Sequence, residues 1–157
     1  GGHSHACGFT IKDEKNIAPF IENMTKLAQK AIGKKELSPK IDIDAEVNLE
    51  EVDWELFENL QLFEPFGEDN RKPKFLAKKL TVTDIQHVGA DGKHLRIMVS
   101  HNKPVVRKMI GFGFGHWYDK LKKDDLIDVV FEVDINEWNG NRELQLKIID
   151  LRLGDGR

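Results

Sequence analysis

The first residues able to do chemistry are Gly1-Gly2-His3. Two residues without a Cβ let the backbone come close to a ligand, and exposed N–H groups beside an imidazole can hold a phosphate. The same stretch also reads as a glycine-rich turn before a strand. His3, His5 and Cys7 alternate as possible nitrogen and sulfur ligands, but a closed metal site needs a fourth ligand that the neighbouring sequence does not offer. A second set lies in the C-terminal half. Lys93, Arg96, Arg107, Lys108 and Arg142 are the cations, Trp138 is the leading aromatic, and Trp117, Tyr118 and Phe114 stand behind it. Cations that track phosphates, combined with rings that stack on bases, are the means by which single-stranded nucleic acids are held. Trp138 reads equally as a ring that packs its own loop. Asp42, Asp44 and Glu46 share one face of an alternating segment. No histidine or second carboxylate group accompanies them, so they read as a solvated face. Gly111 to Gly115, GFGFG, lacks the GxGxxG spacing and strand–helix setting of a phosphate loop and reads as close packing at a strand end.

The elements that must position these groups follow from hydrophobic periodicity. Five strands are expected between Phe75 and Leu151: KLTVTDIQHV, KHLRIMVS, PVVRKMIGFGF, LIDVVFEVDI and ELQLKIIDLR. HWYDKLKK, between the third and fourth, reads as a small helix. Three strands, a small helix and two strands form the order of an OB-fold, a partly open five-stranded barrel that often binds oligonucleotides. Alternation turns Leu95, Ile97 and Val99 inward on the second strand. It predicts Ile110 and Phe112 buried on the third, with Arg107 and Met109 outward. Val129, Phe131, Val133 and Ile135 fill the core side of the fourth strand, and Leu144, Leu146 and Ile148 that of the fifth. The loops are Gly89 to Gly92 and Asn136 to Asn141.

Upstream, Ala6 to Ile11 reads as a strand entering a core. Asp13 to Ile32 reads as an amphipathic, core-facing helix, with Asp13 as N-cap and Gly33 as stop. Residues 36–48 form a connector containing the edge strand IDIDAEV. Leu49 to Leu62 is a second helix that turns Val52, Leu56, Phe57 and Leu60 inward. The fold class expected is α+β: the C-terminal strand and helix of an α/β domain over 1–35, a helical connector over 36–74 and the barrel over 75–153. A chain of 157 residues beginning Gly-Gly reads as a fragment of a longer protein.

The net charge of −3 decides little, but its distribution is uneven. Residues 36–70 carry twelve acids and one base, whereas residues 71–108 carry ten bases and two acids. A basic block on the first three barrel strands suits a polyanion, and it equally suits solvated strand faces. No apolar run approaches the roughly 20 residues that span a bilayer. The single cysteine, Cys7, forms no internal disulfide, which fits a reducing cytoplasm.

FEPFGEDN-x-x-P-x-F, followed in order by HLR, IGFG and INEWNGNRELQL, resembles the C-terminal region of the bacterial RecJ family of single-stranded-DNA-specific 5′→3′ exonucleases. GGHSHACGFTI resembles the Gly-Gly-His segment that closes the domain accompanying that family's DHH phosphoesterase domain. Cys7 stands where the family usually has a second alanine. Asp69 and Arg71 depart from its FG-x-G-N-P pattern, and its Asp-His-His metal-binding segments are absent from this chain. The resemblance implies a barrel that guides single-stranded DNA, for which Lys93, Arg96, Arg107, Lys108, Trp138 and Arg142 are the candidates already read from charge and ring type. It implies substrate phosphate at Gly1, Gly2 and His3, and a centre of Mn²⁺ or Mg²⁺ outside this chain, with no cofactor or metal held here. It further implies DNA repair and recombination as the setting, single-stranded-DNA-binding protein or other repair proteins as partners, a monomer, and no activity for the chain alone. The competing expectation is a protein-interaction module that docks a replication or repair partner through the barrel and the acidic connector.

Overall fold

The computed structural model divides the chain into two units, Gly1–Lys40 and Ile41–Arg157, each described here by itself. Residues 2–3, 6–33, 38–101 and 104–154 are described, with Gly2, His3 and Trp138 described by backbone alone.

In the first unit, β1 (Gly2–His3) pairs antiparallel with β2 (Ala6–Cys7). The strand expected to run on to Ile11 stops at Cys7, and Phe9 is exposed, its ring packed edge-on against Phe20. The Asp13 side chain accepts the Lys15 amide and caps a 3-10 turn, Glu14–Asn16. That turn leads into α1 (Ile17–Ile32), which ends where Gly33, at φ 61°, donates its N–H to the Gln29 carbonyl. The Gly33 stop falls where the sequence places it and Asp13 caps the 3-10 turn rather than α1, whose N-cap is Asn16, but the stripe is not core-facing. Ile17, Ile21, Met24, Leu27 and Ile32 are exposed and α1 buries no residue. A helix covers its apolar stripe only against a second layer, which one short hairpin does not supply.

The second unit holds the core. β3 (Ala45–Glu46) runs parallel to the start of β4 (Phe75–Val88) as an edge strand. The expected second helix is broken in two. A 3-10 turn, Leu49–Glu51, precedes α2 (Trp54–Gln61), which the Asp53 carboxylate caps by accepting the Leu56 amide at 2.9 Å. Leu49, Val52, Phe57 and Leu60 are buried and join the barrel's own core cluster.

Four more strands complete the barrel: β5 (His94–Ser100), β6 (Val106–Gly111), β7 (Leu126–Trp138) and β8 (Asn141–Leu153). Their order is β4-β5-β6-β8-β7, with β7 closing onto β4. Strand β4 serves both neighbours. Its first half pairs with β7 and its second half with β5, and a register shift between Ala77 and Leu80 lets it bend. Lys79, in that shift, has a φ of 54° and donates its amide to Asp128 on β7 at 3.0 Å. The shift between Val130 and Phe131 on β7 lets Val129, Val130 and Phe131 all be buried in succession.

The expected inward faces of β5, β7 and β8 hold: Leu95, Ile97, Val99, Val129, Phe131, Val133, Leu146 and Ile148 are buried, and Ile135 and Leu144 are partly so. The assignment on β6 is reversed. Met109 is fully buried and Phe112 is 51 % exposed. The cause is the pairing with β5. Leu95 lies opposite Gly111 and Ile97 opposite Met109, and directly opposed residues project to the same side. Gly111 faces inward because Phe114 folds onto it; a Cβ there would sit 2.8 Å from the Phe114 Cβ.

Two connections also differ from expectation. HWYDKLKK yields a 3-10 turn, Gly115–Trp117, followed by turns that bury Leu121, rather than an α-helix. The expected six-residue loop from Asn136 to Asn141 is a two-residue turn, Asn139-Gly140, with φ values of 49° and 78°. Both residues are left-handed, the requirement of a type I′ hairpin, so the strands run out to Trp138 and Asn141.

Candidate nucleic-acid interface

The outer face of β5, β6 and β8 is built by alternation. His94, Arg96 and Met98 project from β5, with Lys108 opposite Met98 and Ile110 opposite Arg96 on β6. Lys147, on β8, lies opposite Ile110. Phe112 extends this face just past the end of β6, and its ring is the exposed aromatic there. The His94 ring meets it edge-on at 5.3 Å and the Lys147 ammonium stands 5.8 Å from its centroid. Gly113 fixes the imidazole, donating its N–H to His94 Nδ1 at 3.1 Å, so Nδ1 is the unprotonated nitrogen in this arrangement. An exposed ring beside a cation, held by a second ring, has the make-up of a base-stacking platform.

Around this platform the cations are already engaged. Lys108 Nζ lies 2.5 Å from Glu143 Oε1, Lys93 pairs with Asp91 at 2.6 Å, and Arg142 pairs with Glu137 at 2.7 Å. Arg96 donates to the Gln86 side chain, and Arg142 also stands over the Trp54 ring at 5.7 Å. Glu143 accepts from Asn136 as well, at 3.2 Å. The Lys108 hydrogen bond pulls its carboxyl pKa down and burial pushes it up. The Asn136 hydrogen bond and the charges of Lys108 and Arg96 then settle it below the ordinary 4.5.

The residues singled out in the sequence do not share one place. Arg96 and Lys108 lie together on the outer face, and Lys93 and Arg142 lie at its two bounding loops. Arg107 stands on the inward-facing side of β6. Its guanidinium donates to the Val52 carbonyl at 3.0 Å and its Nε is buried, so it ties the segment before α2 to the barrel. Trp138 pairs through its backbone with Asn141, and its side chain lies outside the described residues. Gly2 and His3 form the β1 backbone, whereas Gly1 and His5 lie outside the described residues. Of the secondary aromatics, Phe114 packs on Gly111, Trp117 is half-buried with Lys120 above its ring at 5.4 Å, and Tyr118 stacks on His87 at 3.9 Å. Sequence reasoning missed Phe112 and Lys147 as site residues. The pairing of β6 with β5 would have found Phe112, and alternation on β8, with Leu146 and Ile148 inward, would have found Lys147.

Two other features of the face resolve. The GFGFG segment is close packing: a Cβ on Gly115 would lie 2.2 Å from the Gly92 carbonyl oxygen, and the Gly115 amide donates to the Lys93 carbonyl. The connector acids are partly structural, since Asp44 accepts the Lys74 amide at 2.8 Å and Glu46 pairs with Lys78 at 2.6 Å. Among the described residues no group of three or more His, Cys, Asp or Glu is placed to hold a metal ion.

A five-stranded closed barrel with this strand order and a short helical segment between its third and fourth strands is an OB-fold. The RecJ OB domain family matches residues 43–150, and the chain belongs to that family. It is 26% identical over 155 residues to the single-stranded-DNA-specific exonuclease RecJ of Bacillus subtilis, covering 99% of this chain and 20% of that protein. It is 26% identical over 152 residues to the RecJ of Haemophilus influenzae, covering 94% of this chain and 26% of that protein. The chain thus spans a fifth to a quarter of the length of these relatives. The crystal structure of Thermus thermophilus RecJ with Mn²⁺ superposes with a TM-score of 0.75 at 22% identity, covering 99% of this chain and 22% of that one, which establishes the shared fold.

Proposed function

We propose that this chain is the single-stranded-DNA-binding portion of a RecJ-like 5′→3′ exonuclease acting in cytoplasmic DNA repair and recombination. The observation that carries the reading is the exposed Phe112 ring between His94 and Lys147 on the face of β5, β6 and β8. OB-folds take their ligands on this face, between the two loops that here carry Lys93 and Arg142. Bases stack on Phe112 while Lys147, Lys108 and Arg96 meet the phosphates. The names of the Bacillus and Haemophilus relatives support single-stranded DNA as the ligand. Gly1, Gly2 and His3 contact substrate phosphate, and Mn²⁺ or Mg²⁺ is held by a part of the protein beyond these 157 residues. The parent enzyme acts as a monomer and meets single-stranded-DNA-binding protein or other repair proteins.

The test is fluorescence anisotropy of a labelled oligo(dT) about 15 nucleotides long, the upper end of OB-fold site sizes. Phe112→Ala should weaken binding about 5- to 150-fold, the equivalent of one stacked base. Unchanged affinity in Phe112→Ala and Lys147→Ala would refute the interface. The chain alone, incubated with Mn²⁺ and the same oligonucleotide, should release no nucleotides.

A further inference from the structure

Glu143 stands out on the interface because its carboxylate is held by donors from two other strands, whereas the nearby Asp134 pairs with Lys72 and Glu132 lies opposite Lys147. It projects from β8 and touches groups from two other strands, Lys108 on β6 at 2.5 Å and Asn136 on β7 at 3.2 Å. The positive charge of Arg96, on β5, also bears on it. An ammonium and a carboxamide NH₂ are donors that hold a phosphate oxygen, and the anion that Lys108 and Asn136 hold here belongs to the protein, with the Arg96 guanidinium engaged by Gln86 on the same face. The carboxylate is not locked in: the Lys108 and Glu143 side chains are 33% and 48% exposed, and ion pairs so exposed contribute little to stability.

We propose that Lys108 and Asn136, with Arg96 beside them on the same face, form a phosphodiester-binding subsite whose anion position is filled by Glu143 in the unbound protein, and that a single strand binds by displacing this carboxylate. The inference rests on the reading of this face as the DNA interface and deepens it. Two consequences follow. The face is locally neutral before binding, so it holds a strand more weakly than its cations alone would dictate. The displaced carboxylate then stays close to the bound backbone and repels it, which flattens the salt dependence. A strand held this way exchanges one anion for another at the subsite, a property suited to a chain that must advance through its binding face.

The experiment measures oligo(dT) anisotropy with the 157-residue chain between about 50 and 200 mM salt. Glu143→Gln should tighten binding about fivefold, comparable to removing an exposed like-charge contact. It should also steepen the slope of log affinity against log salt by about 0.7, the increment for one further neutralised phosphate on a single strand. Asp119→Asn, which removes an exposed carboxylate from the turn after the 3-10 segment, controls for net charge and should do neither. Adding Lys108→Ala to Glu143→Gln should abolish the gain. Unchanged or weaker binding in Glu143→Gln, while Phe112→Ala still weakens it, would overturn the subsite and leave the interface standing. An equal gain from Asp119→Asn would also overturn it. Indifference to both Phe112→Ala and Lys147→Ala would remove the interface and the subsite with it.

Discussion

The Asp128 carboxylate accepts the Lys79 amide at the point where β4 shifts register, and Arg152 from β8 reaches the same carboxylate through Nε and Nη2 at 3.0 and 2.9 Å. Burial raises its pKa. The Lys79 amide, Arg152 and the charge of Lys78 outweigh that and hold it below the ordinary 3.8. A carboxyl depressed in the folded state contributes stability that is complete above its unfolded pKa and is lost as pH falls through the folded value. Asp128→Asn should therefore cost about 1–3 kcal/mol at neutral pH, the range for a buried charged hydrogen-bond partner. Denaturant melts across pH should show the gap between the two proteins constant above about pH 5 and closing below about pH 4. A gap independent of pH would show that the charge is not what closes the barrel. Phe112 is the opposite case, a large apolar ring left half in water, which core packing does not explain and a stacking role does.

At the scale of elements, two short connections do more than join strands. The Asn139-Gly140 turn sets the register that brings Asn136 opposite Glu143. Gly140→Ala, at φ 78°, should cost about 1–2 kcal/mol, the price of a side chain in left-handed backbone. Because the turn aligns the residues beside the Lys108–Glu143 pair, the substitution should also alter oligo(dT) affinity. Thermal melts and anisotropy on one preparation would read both effects. The Gly115 contact closes the other loop onto the barrel. A Cβ there meets backbone rather than a movable side chain, so Gly115→Ala should destabilise by about 1–3 kcal/mol. Wild-type stability in that variant would show that the loop from Gly89 to Gly92 is free to move away.

At the scale of the whole molecule, the buried core belongs to residues 41–154. Within the first unit, α1 buries none of its residues. Amide hydrogen exchange should accordingly show two levels of protection. The amides of β5, β7 and β8 should exchange only on global unfolding, and those of α1 much faster, through local opening. A chain restricted to residues 41–157 should melt cooperatively at nearly the temperature of the full chain. A large loss of stability on that truncation would show that the first unit supports the barrel.

The sequence by itself determined the existence and order of the barrel strands, because period-two hydrophobicity and glycine turns are local signals, whereas several strand ends lie two to four residues from where it put them. It also carried the Gly33 stop of α1 and the inward faces of β5, β7 and β8. Tertiary structure decided what depends on a partner. The face of β6 was set by its register against β5, which turned Phe112 outward and Met109 inward. Ile110, Phe112 and Phe114 share one parity, so periodicity alone turned that side inward, and only the register against β5 reversed it. The fate of each cation was likewise decided by which side chain stood opposite it. Arg107 was taken inward by the Val52 carbonyl, and Lys108 was met by a glutamate thirty-five residues later in the chain. Charge composition counts cations, but only the fold determines which of them already has an anion.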